Sequence, residues 1–128
     1  IAEMHRQIGS SLVTDAAGLV RRGLIIRHLV LPNDLAGSRA SLTWVRDTLG
    51  PDVTMSVMAQ YYPVHRAATT PLLDRKIRES EYQRVLTMLD ELGLHNGWVQ
   101  EQDAAEHYRP AFEDRVDPFR NNELRMKN

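Results

Sequence analysis

The fold is decided by the stretch Arg22-Gly23-Leu24-Ile25-Ile26-Arg27-His28-Leu29-Val30-Leu31-Pro32, in which an aliphatic segment lies between a glycine and a proline. Most residues from 24 to 31 are aliphatic, and polar residues do not alternate with them at the ends of the segment. This pattern is typical of a strand that is covered on both faces, as in a parallel sheet. Successive side chains of a strand point to opposite faces, so we predict that Arg27 and His28 lie on opposite sides of the sheet.

The sequence after this strand predicts two more strands and two helices. The predicted elements are a helix at 38–49 with Ser38 as its N-cap, a strand at 53–59, a helix with an apolar stripe from Tyr82 to Leu92, and a strand at 98–100. Ser80 and Gln83 have the spacing of a capping box for the second helix, and a glycine ends each helix. Strands that alternate with helices predict an α/β fold with a parallel sheet.

The residues before the first long strand predict a helix and a small hairpin. Residues 1–8 form the helix, which Gly9 ends, and a turn at 14–18 joins two short extended segments. The chain starts at Ile1, inside this predicted helix, without an initiator methionine, so we expect it to be a piece of a longer protein. We divide the chain into a part at 1–101 that carries the sheet and a charged C-terminal tail at 102–128.

Composition excludes several classes of function. The chain has 128 residues and a net charge of -1, and therefore has no bulk attraction for nucleic acid or for an anionic membrane. It contains no cysteine, so it forms no disulfide and holds no iron–sulfur cluster through thiolates of its own. No apolar stretch approaches the length of a membrane span, and no signal peptide is evident, which predicts a cytoplasmic protein.

Polar residues follow the predicted strands at the edge where parallel strands place functional side chains. For Arg27, two interpretations remain open, a structural ion pair and a ligand contact. Gln60, Tyr61 and Tyr62 follow the second strand, and this group either clasps a planar ligand or closes the end of the core. The loop at 33–38 precedes a helix and is a weak candidate for anion binding.

The five histidines, at positions 5, 28, 65, 95 and 107, do not have the spacing of metal ligands. His28 is expected to be a neutral, hydrogen-bonded residue in the packing. His65 has no serine, cysteine or carboxylate beside it in sequence and is expected to be exposed to solvent.

Four segments of the chain resemble successive blocks of one protein family. They are Glu3-Met4-His5-Arg6-Gln7, Arg22 to Asn33, Met58-Ala59-Gln60-Tyr61-Tyr62-Pro63 and Gly97-Trp98-Val99-Gln100-Glu101. In this order they resemble the pyruvate formate-lyase-activating-enzyme-like branch of the radical S-adenosylmethionine (SAM) proteins. The resemblance covers residues 1–101, and its second block is the most specific.

The resemblance implies a fold and a cofactor site. Such proteins fold as an incomplete parallel α/β barrel, of which this chain would be the C-terminal portion, with about three βα-type units. By resemblance, Arg27 and Leu29 contact S-adenosylmethionine, and Gln60, Tyr61 and Tyr62 cradle its adenine. Tyr62 stands where the resemblance implies a basic residue. The CxxxCxxC loop that holds the 4Fe-4S cluster of the family is absent from this chain.

We therefore expect a C-terminal fragment of a radical SAM iron–sulfur oxidoreductase that contributes part of the SAM pocket and is inactive alone. S-adenosylmethionine and the 4Fe-4S cluster would be cofactors of the full-length parent, and this chain alone would hold neither. The expected partners are the N-terminal half of the barrel or a second copy, which would cover the sheet edge, and a protein substrate. The alternatives are a non-catalytic α/β module that binds an anion or nucleotide, and a structural fragment that self-associates.

Overall fold

The computed structural model of the chain describes residues 1–100, which form a mixed α/β fold. In chain order the elements are α1 (Ala2–Ile8), β1 (Val13–Thr14), β2 (Val20–Arg22), β3 (Ile25–Leu29), α2 (Ser38–Leu49), β4 (Thr54–Met58), α3 (Glu79–Leu92) and β5 (Gly97–Val99). Short 3-10 turns at Pro32–Asp34 and His65–Thr69 lie in the loops that follow β3 and β4. The predicted tail at 102–128 lies outside the described residues.

The central sheet has three parallel strands in the order β3, β4, β5. Arg27 pairs with Ser56, and Ser56 pairs with Trp98, so these three residues form one row across the sheet. Paired residues of neighbouring strands point to the same face, which places the three side chains on one side. The predicted parallel order of the strands is therefore confirmed.

The core lies between one face of this sheet and the helices α2 and α3. On the central strand, Val53, Met55, Val57 and Ala59 are buried, which confirms the predicted apolar face. The buried residues that the two helices contribute at helical spacing are Leu42, Val45 and Leu49 from α2 and Tyr82, Val85, Met88, Leu89 and Leu92 from α3. Burial of these side chains is the main stabilising contribution to the fold.

The prediction that β3 is covered on both faces is wrong for this structure. Ile26 faces the core, whereas Ile25 is 37% exposed and Arg27 on the same face is also exposed. The cause is the arrangement of the helices, because the buried residues of both α2 and α3 belong to the core on the other side of the sheet. The aliphatic pattern of β3 therefore predicts more buried side chains than residues 1–100 actually cover.

Two predicted helix caps differ from the structure. Ser38 is the first residue of α2 and not its N-cap, since Gly37 holds that position with a φ of 56°. The predicted box of Ser80 and Gln83 is also wrong, because Arg78 is the N-cap and α3 begins at Glu79, two residues before a cap at Ser80 would start it. There the Glu81 carboxylate accepts a hydrogen bond from the N–H of Arg78 at 2.7 Å. Both serines have the local signal of a cap, but the observed caps are Gly37, one residue before Ser38, and Arg78, two residues before Ser80.

The predicted N-terminal helix and small hairpin are confirmed. Gly9 ends α1 with a φ of 71°, and β1 pairs with β2 in antiparallel orientation. In the turn between these strands, Asp15 Oδ1 accepts hydrogen bonds from the N–H groups of Ala17 and Leu19, both at 2.9 Å. Each of these features follows from local sequence.

Candidate functional site

The carboxyl ends of the three parallel strands form one rim of the sheet, and most of the candidate residues lie along it. Leu29 is the last residue of β3, Arg27 is the middle residue of that strand, and residues 60–62 lie just beyond the end of β4. Gln100 follows β5, and its N–H donates to the carbonyl of Val57 at 3.2 Å. The structure therefore places Leu29 and residues 60–62 at one end of the sheet, which we call the carboxyl rim, while Arg27 lies two residues before this end of β3.

The face of the sheet opposite the helices carries the exposed part of this site. Arg27, Ser56 and Trp98 form its middle row, with Arg27 and Trp98 exposed and Ser56 half-buried. Among residues 1–100, Arg27 has no ion-pair partner. The described part of the chain therefore does not support the interpretation of Arg27 as half of a structural ion pair. The guanidinium of Arg27 is available to an anionic group.

Gln60 is held at the rim by the residue that follows the neighbouring strand. The Gln100 Nε2 donates to Gln60 Oε1 at 3.3 Å, and Gln100 Oε1 accepts from the N–H of Ala59 at 3.2 Å. The hydroxyl of Tyr82 lies beneath this pair and contacts both the N–H and the carbonyl of Gln100, at 2.9 and 2.8 Å. Sequence reasoning placed Tyr82 in the apolar stripe of α3 and did not detect its hydroxyl as part of the rim.

Tyr61 and Tyr62 continue the rim after Gln60, and both are half-buried. The Tyr61 hydroxyl donates to the carbonyl of Leu73 at 2.8 Å, and burial raises the pKa of this phenol, with a smaller contribution from Asp74. The ammonium of Lys76 lies 5.0 Å from the centre of the Tyr62 ring, within the range of a cation–π interaction. A basic group therefore lies against position 62 even though the residue itself is tyrosine.

A bracket of three residues, Asn33, Arg75 and Glu81, fastens the long loop after β4 to the loop after β3. The two terminal nitrogens of Arg75 donate to the two oxygens of Glu81, each at 2.8 Å. Glu81 Oε1 also accepts from the N–H of Asn33 at 2.7 Å, and Asn33 Oδ1 accepts from Arg75 at 2.9 Å. We call this set the rim bracket, because it joins both loops to the first turn of α3.

The electrostatics of the rim bracket are those of a strong ion pair. The Arg75 guanidinium, helped by the N–H groups of Arg78 and Asn33, lowers the pKa of the Glu81 carboxyl from 4.5 to about 2. The Glu81 side chain is only 13% exposed, so solvent screens the pair less than it screens an open surface pair. Asn33 adopts a φ of 58°, a conformation that asparagine tolerates better than most residues. No local sequence signal joins these residues, since Asn33 lies 42 positions from Arg75.

His28 lies on the helix face of the sheet, opposite to Arg27, as predicted. Its Nε2 shares a hydrogen bond of 2.9 Å with the hydroxyl of Ser38, which is 1% exposed. Burial lowers the pKa of His28, while the nearby Asp34 carboxylate opposes this shift. These contacts confirm the interpretation of His28 as a hydrogen-bonded residue of the packing. His65 is exposed, as predicted.

The loop at 33–38 places a carboxylate at the start of α2. Asp34 Oδ1 accepts a hydrogen bond from the N–H of Ser38 at 3.2 Å, and Asp34 itself has a φ of 55°. A negative group therefore already occupies the position that an external anion would take at this helix end. The geometry weighs against the candidate anion site.

A groove of about 440 Å³ lies along the free edge of β3. Ile26 and His28 line it from the strand, and Trp44 lines it from α2 with 45% of its surface exposed. In the described part of the chain, β3 pairs only with β4, so the outward N–H and C=O groups of the strand face no other strand. An edge of this kind is available for pairing with a further strand.

Comparisons with protein-family models, curated proteins and solved structures found no match to this chain. Residues 1–100 contain no group of three or more histidine, aspartate or glutamate residues that would hold a metal ion. Among the same residues, none of the helices has both the length and the apolar character needed to cross a membrane.

Proposed function

We propose that this chain is the C-terminal part of a radical S-adenosylmethionine protein and forms one side of its SAM pocket. The observation that carries the proposal is the position of Arg27, whose exposed guanidinium lies on the face opposite the helices and has no ion-pair partner in residues 1–100. Gln60, Tyr61 and Tyr62 lie beyond the carboxyl end of the adjacent strand, four to six residues past Ser56, which pairs with Arg27. A guanidinium on one strand and a polar-aromatic group beyond the end of the next suit an extended ligand with both a carboxylate and a purine.

The chemistry of S-adenosylmethionine fits these residues in two places. Arg27 would pair with the carboxylate of the methionine part, and Leu29, half-buried on the same face, would give an apolar contact. Tyr61 and Tyr62 would border the adenine, and Gln60 would hydrogen-bond to it. Lys76, which lies over the Tyr62 ring, would supply the basic group that the resemblance implies at this position.

The cluster chemistry of the family does not fit this chain alone. S-adenosylmethionine supplies a 5'-deoxyadenosyl radical when a reduced 4Fe-4S cluster cleaves it, but this chain has no cysteine to hold such a cluster. We therefore assign no radical step to these residues and expect the isolated chain to be inactive. The proposal predicts that a CxxxCxxC loop precedes this chain in the same gene.

The parent fold in this proposal is an incomplete parallel barrel in the cytoplasm. Three strands do not close a barrel, and β3 has a free edge beside an apolar groove within the described residues. We propose that the N-terminal half of the barrel, or failing that a second copy, covers this edge. The second face of β3, which the aliphatic pattern predicts to be buried, would then be covered in the parent protein.

The alternative function, an anion or nucleotide module at the loop 33–38, gains no support from a specific contact. Asp34 accepts a hydrogen bond from the N–H of Ser38 at the start of the helix that an anion would need, and its charge repels a phosphate at that position. The alternative remains a useful outcome of the binding experiment, because it predicts a different ligand and a different location.

Isothermal titration calorimetry of the purified chain tests the proposal with S-adenosylmethionine, ATP and inorganic phosphate as titrants. The chain forms only one side of the pocket and retains no cofactor of its own, so we expect weak, reversible binding of S-adenosylmethionine. Arg27→Ala should weaken this binding by about tenfold, which corresponds to one lost charge-assisted hydrogen bond. Arg22→Ala is the matched control, since Arg22 is also an exposed strand arginine but lies in β2, outside the parallel sheet. Strong binding of phosphate with indifference to S-adenosylmethionine would instead support the anion module.

A further inference from the structure

The hydroxyl of Tyr82 lies inside the protein, directly below the carboxyl rim. Tyr82 belongs to the first turn of α3 and is 3% exposed, and its ring is part of the core. Its hydroxyl donates to the carbonyl of Gln100 at 2.8 Å and accepts from the N–H of the same residue at 2.9 Å. The carbonyl of Val57, at 3.3 Å, is a second acceptor within reach. The phenol therefore fixes the backbone of the residue that follows β5, together with the bond from the Gln100 N–H to the Val57 carbonyl at 3.2 Å.

The side chain of Gln100 connects this fixed backbone to the residues that follow β4. Its Oε1 accepts a hydrogen bond from the N–H of Ala59, which fixes the orientation of the carboxamide. The remaining amide nitrogen then faces Gln60, where Nε2 donates to Gln60 Oε1 at 3.3 Å. Because a backbone N–H is always a donor, the direction of every hydrogen bond in this series is determined from Ala59 outward.

We propose that Tyr82 and Gln100 are positioning residues that set the hydrogen-bond polarity of Gln60. With its Oε1 directed at Gln100, Gln60 presents its amide nitrogen, a donor, at the rim. The rim then selects a ligand with a hydrogen-bond acceptor at the contact point, such as a ring nitrogen without a proton. This inference rests on the proposed function only for the identity of the ligand, an adenine-containing molecule.

The selected ligand class follows from purine chemistry. The N1 atom of adenine is an acceptor, whereas N1 of hypoxanthine carries a hydrogen and is a donor. A fixed donor on the protein forms a hydrogen bond with N1 of adenine. With hypoxanthine, the same donor faces the N1–H group, and two donors then oppose each other. A site that donates a hydrogen bond to a ligand acceptor discriminates strongly against an analogue with a donor at the same position, because a polar group is then left unpaired.

Three variants separate positioning from simple stabilisation. Tyr82→Phe keeps the ring in the core and removes only the hydroxyl, and Gln100→Ala removes the link to Gln60. Gln100→Glu keeps an oxygen for Ala59 and replaces the donor with an oxygen that faces Gln60 Oε1. The Gln60 carboxamide should then turn over and present its oxygen at the rim. Gln83→Ala is the matched control, since Gln83 is an exposed residue of α3 whose side chain bonds to Glu79.

The first measurement requires no ligand. The side-chain amide signal of Gln60 is assigned in ¹⁵N-labelled protein by its loss in Gln60→Glu, and its relaxation is then compared among the variants. We expect an ordered Gln60 amide in the unsubstituted chain of 128 residues and in Gln83→Ala. In Tyr82→Phe and Gln100→Ala we expect an order parameter of this amide below about 0.6, which is typical of a flexible group. An amide that stays equally ordered in the folded Gln100→Ala and Tyr82→Phe proteins would overturn the proposal, and Gln100→Ala decides the result if Tyr82→Phe does not fold.

The second measurement compares adenosine with inosine as probes. The parent chain is expected to bind adenosine about tenfold more tightly than inosine, and Gln100→Glu to abolish or invert this preference. An unchanged preference in Gln100→Glu would overturn the positioning role. If the parent chain binds neither nucleoside nor S-adenosylmethionine, the proposed function fails, while the relaxation of the Gln60 amide still decides whether Tyr82 and Gln100 position it.

Discussion

The rim bracket makes Glu81 the residue whose replacement is most informative about the loops around the site. Glu81 accepts hydrogen bonds from the N–H groups of Asn33 and Arg78 and from two nitrogens of Arg75. In Glu81→Gln one carboxylate oxygen becomes an NH₂ group, which faces donors that it cannot satisfy. The substitution preserves side-chain volume. The decrease in the free energy of unfolding therefore reports the lost charge and hydrogen bonds and not a change in packing.

The magnitude follows from the pKa of the Glu81 carboxyl, which the fold lowers from 4.5 to about 2. One pKa unit corresponds to about 1.4 kcal/mol, which gives about 3 kcal/mol for the ionised form at neutral pH. Arg75 is 27% exposed, and screening by solvent reduces the contribution. We expect Glu81→Gln to lower the free energy of unfolding at pH 7 by about 2 kcal/mol.

Urea denaturation followed by circular dichroism from pH 7 to pH 2 measures this contribution. Because the pKa of Glu81 is lowered in the folded state, its stabilisation is complete above 4.5 and is lost as the pH falls from 4.5 toward 2. The free energies of unfolding of the parent chain and of Glu81→Gln should therefore converge at the acid end of this range.

Glu3→Gln is the control, because the pKa of Glu3 is also lowered to about 2, by Arg6, in a fully exposed pair. We expect this variant to keep the denaturation midpoint of the parent chain, since solvent screens an exposed pair. Equal effects of Glu81→Gln and Glu3→Gln, or a difference that persists unchanged to pH 2, would refute the assignment of the rim bracket as a partly buried, stabilising ion pair.

Two further predictions concern the sheet and its helix face. Gly97 has a φ of 139°, and a Cβ at this position would overlap the carbonyl of Met55, so Gly97→Ala should lower the free energy of unfolding in urea by about 3 kcal/mol. Gly18→Ala, at a φ of 78° with open space around it, should cost only about 1 kcal/mol, and equal losses would contradict the steric argument. Burial lowers the pKa of His28 below 6.5, so the unfolded chain binds its proton more readily and the parent chain loses stability as the pH falls below that value. His28→Gln should abolish this part of the pH dependence in the same denaturation assay, whereas a pH profile identical to that of the parent chain would exclude His28 as its source.

The parts of the fold that sequence predicted are those with local physical causes. The helix at 38–49 was predicted with its observed bounds, because its apolar spacing and the glycine at 50 belong to the segment itself. The parallel order of β3, β4 and β5 follows from the alternation of strands and helices. The face of the central strand that is buried follows from the alternation of its side chains.

The parts that sequence did not predict depend on contacts between distant residues. Ser38 has the chemistry of an N-cap, but its hydroxyl bonds to His28, ten positions earlier, and Gly37 takes the cap position. Arg75, Asn33 and Glu81 carry no joint signal in sequence, yet together they hold two loops of the rim. Tyr82 has the spacing of a core residue, and that assignment is correct for its ring but gives no information about its hydroxyl.

The candidate site shows the same division. Sequence predicted that residues from two strands meet at one edge, because carboxyl ends of parallel strands share an edge. It left open whether Arg27 has an ion-pair partner, which depends on every surrounding element, and within residues 1–100 the structure gives it none. The roles of the five predicted contact residues toward S-adenosylmethionine stay predictions.

The most direct test of the SAM-pocket proposal is a titration of ¹⁵N-labelled chain with S-adenosylmethionine, followed by two-dimensional NMR, which detects weak binding at the level of single residues. The proposal predicts that the largest shift changes occur at Arg27, Leu29 and residues 60–62, and that inorganic phosphate at the same concentration does not reproduce them. Shift changes confined to residues 33–38 and reproduced by phosphate, or no changes at the carboxyl rim at millimolar S-adenosylmethionine, would contradict it.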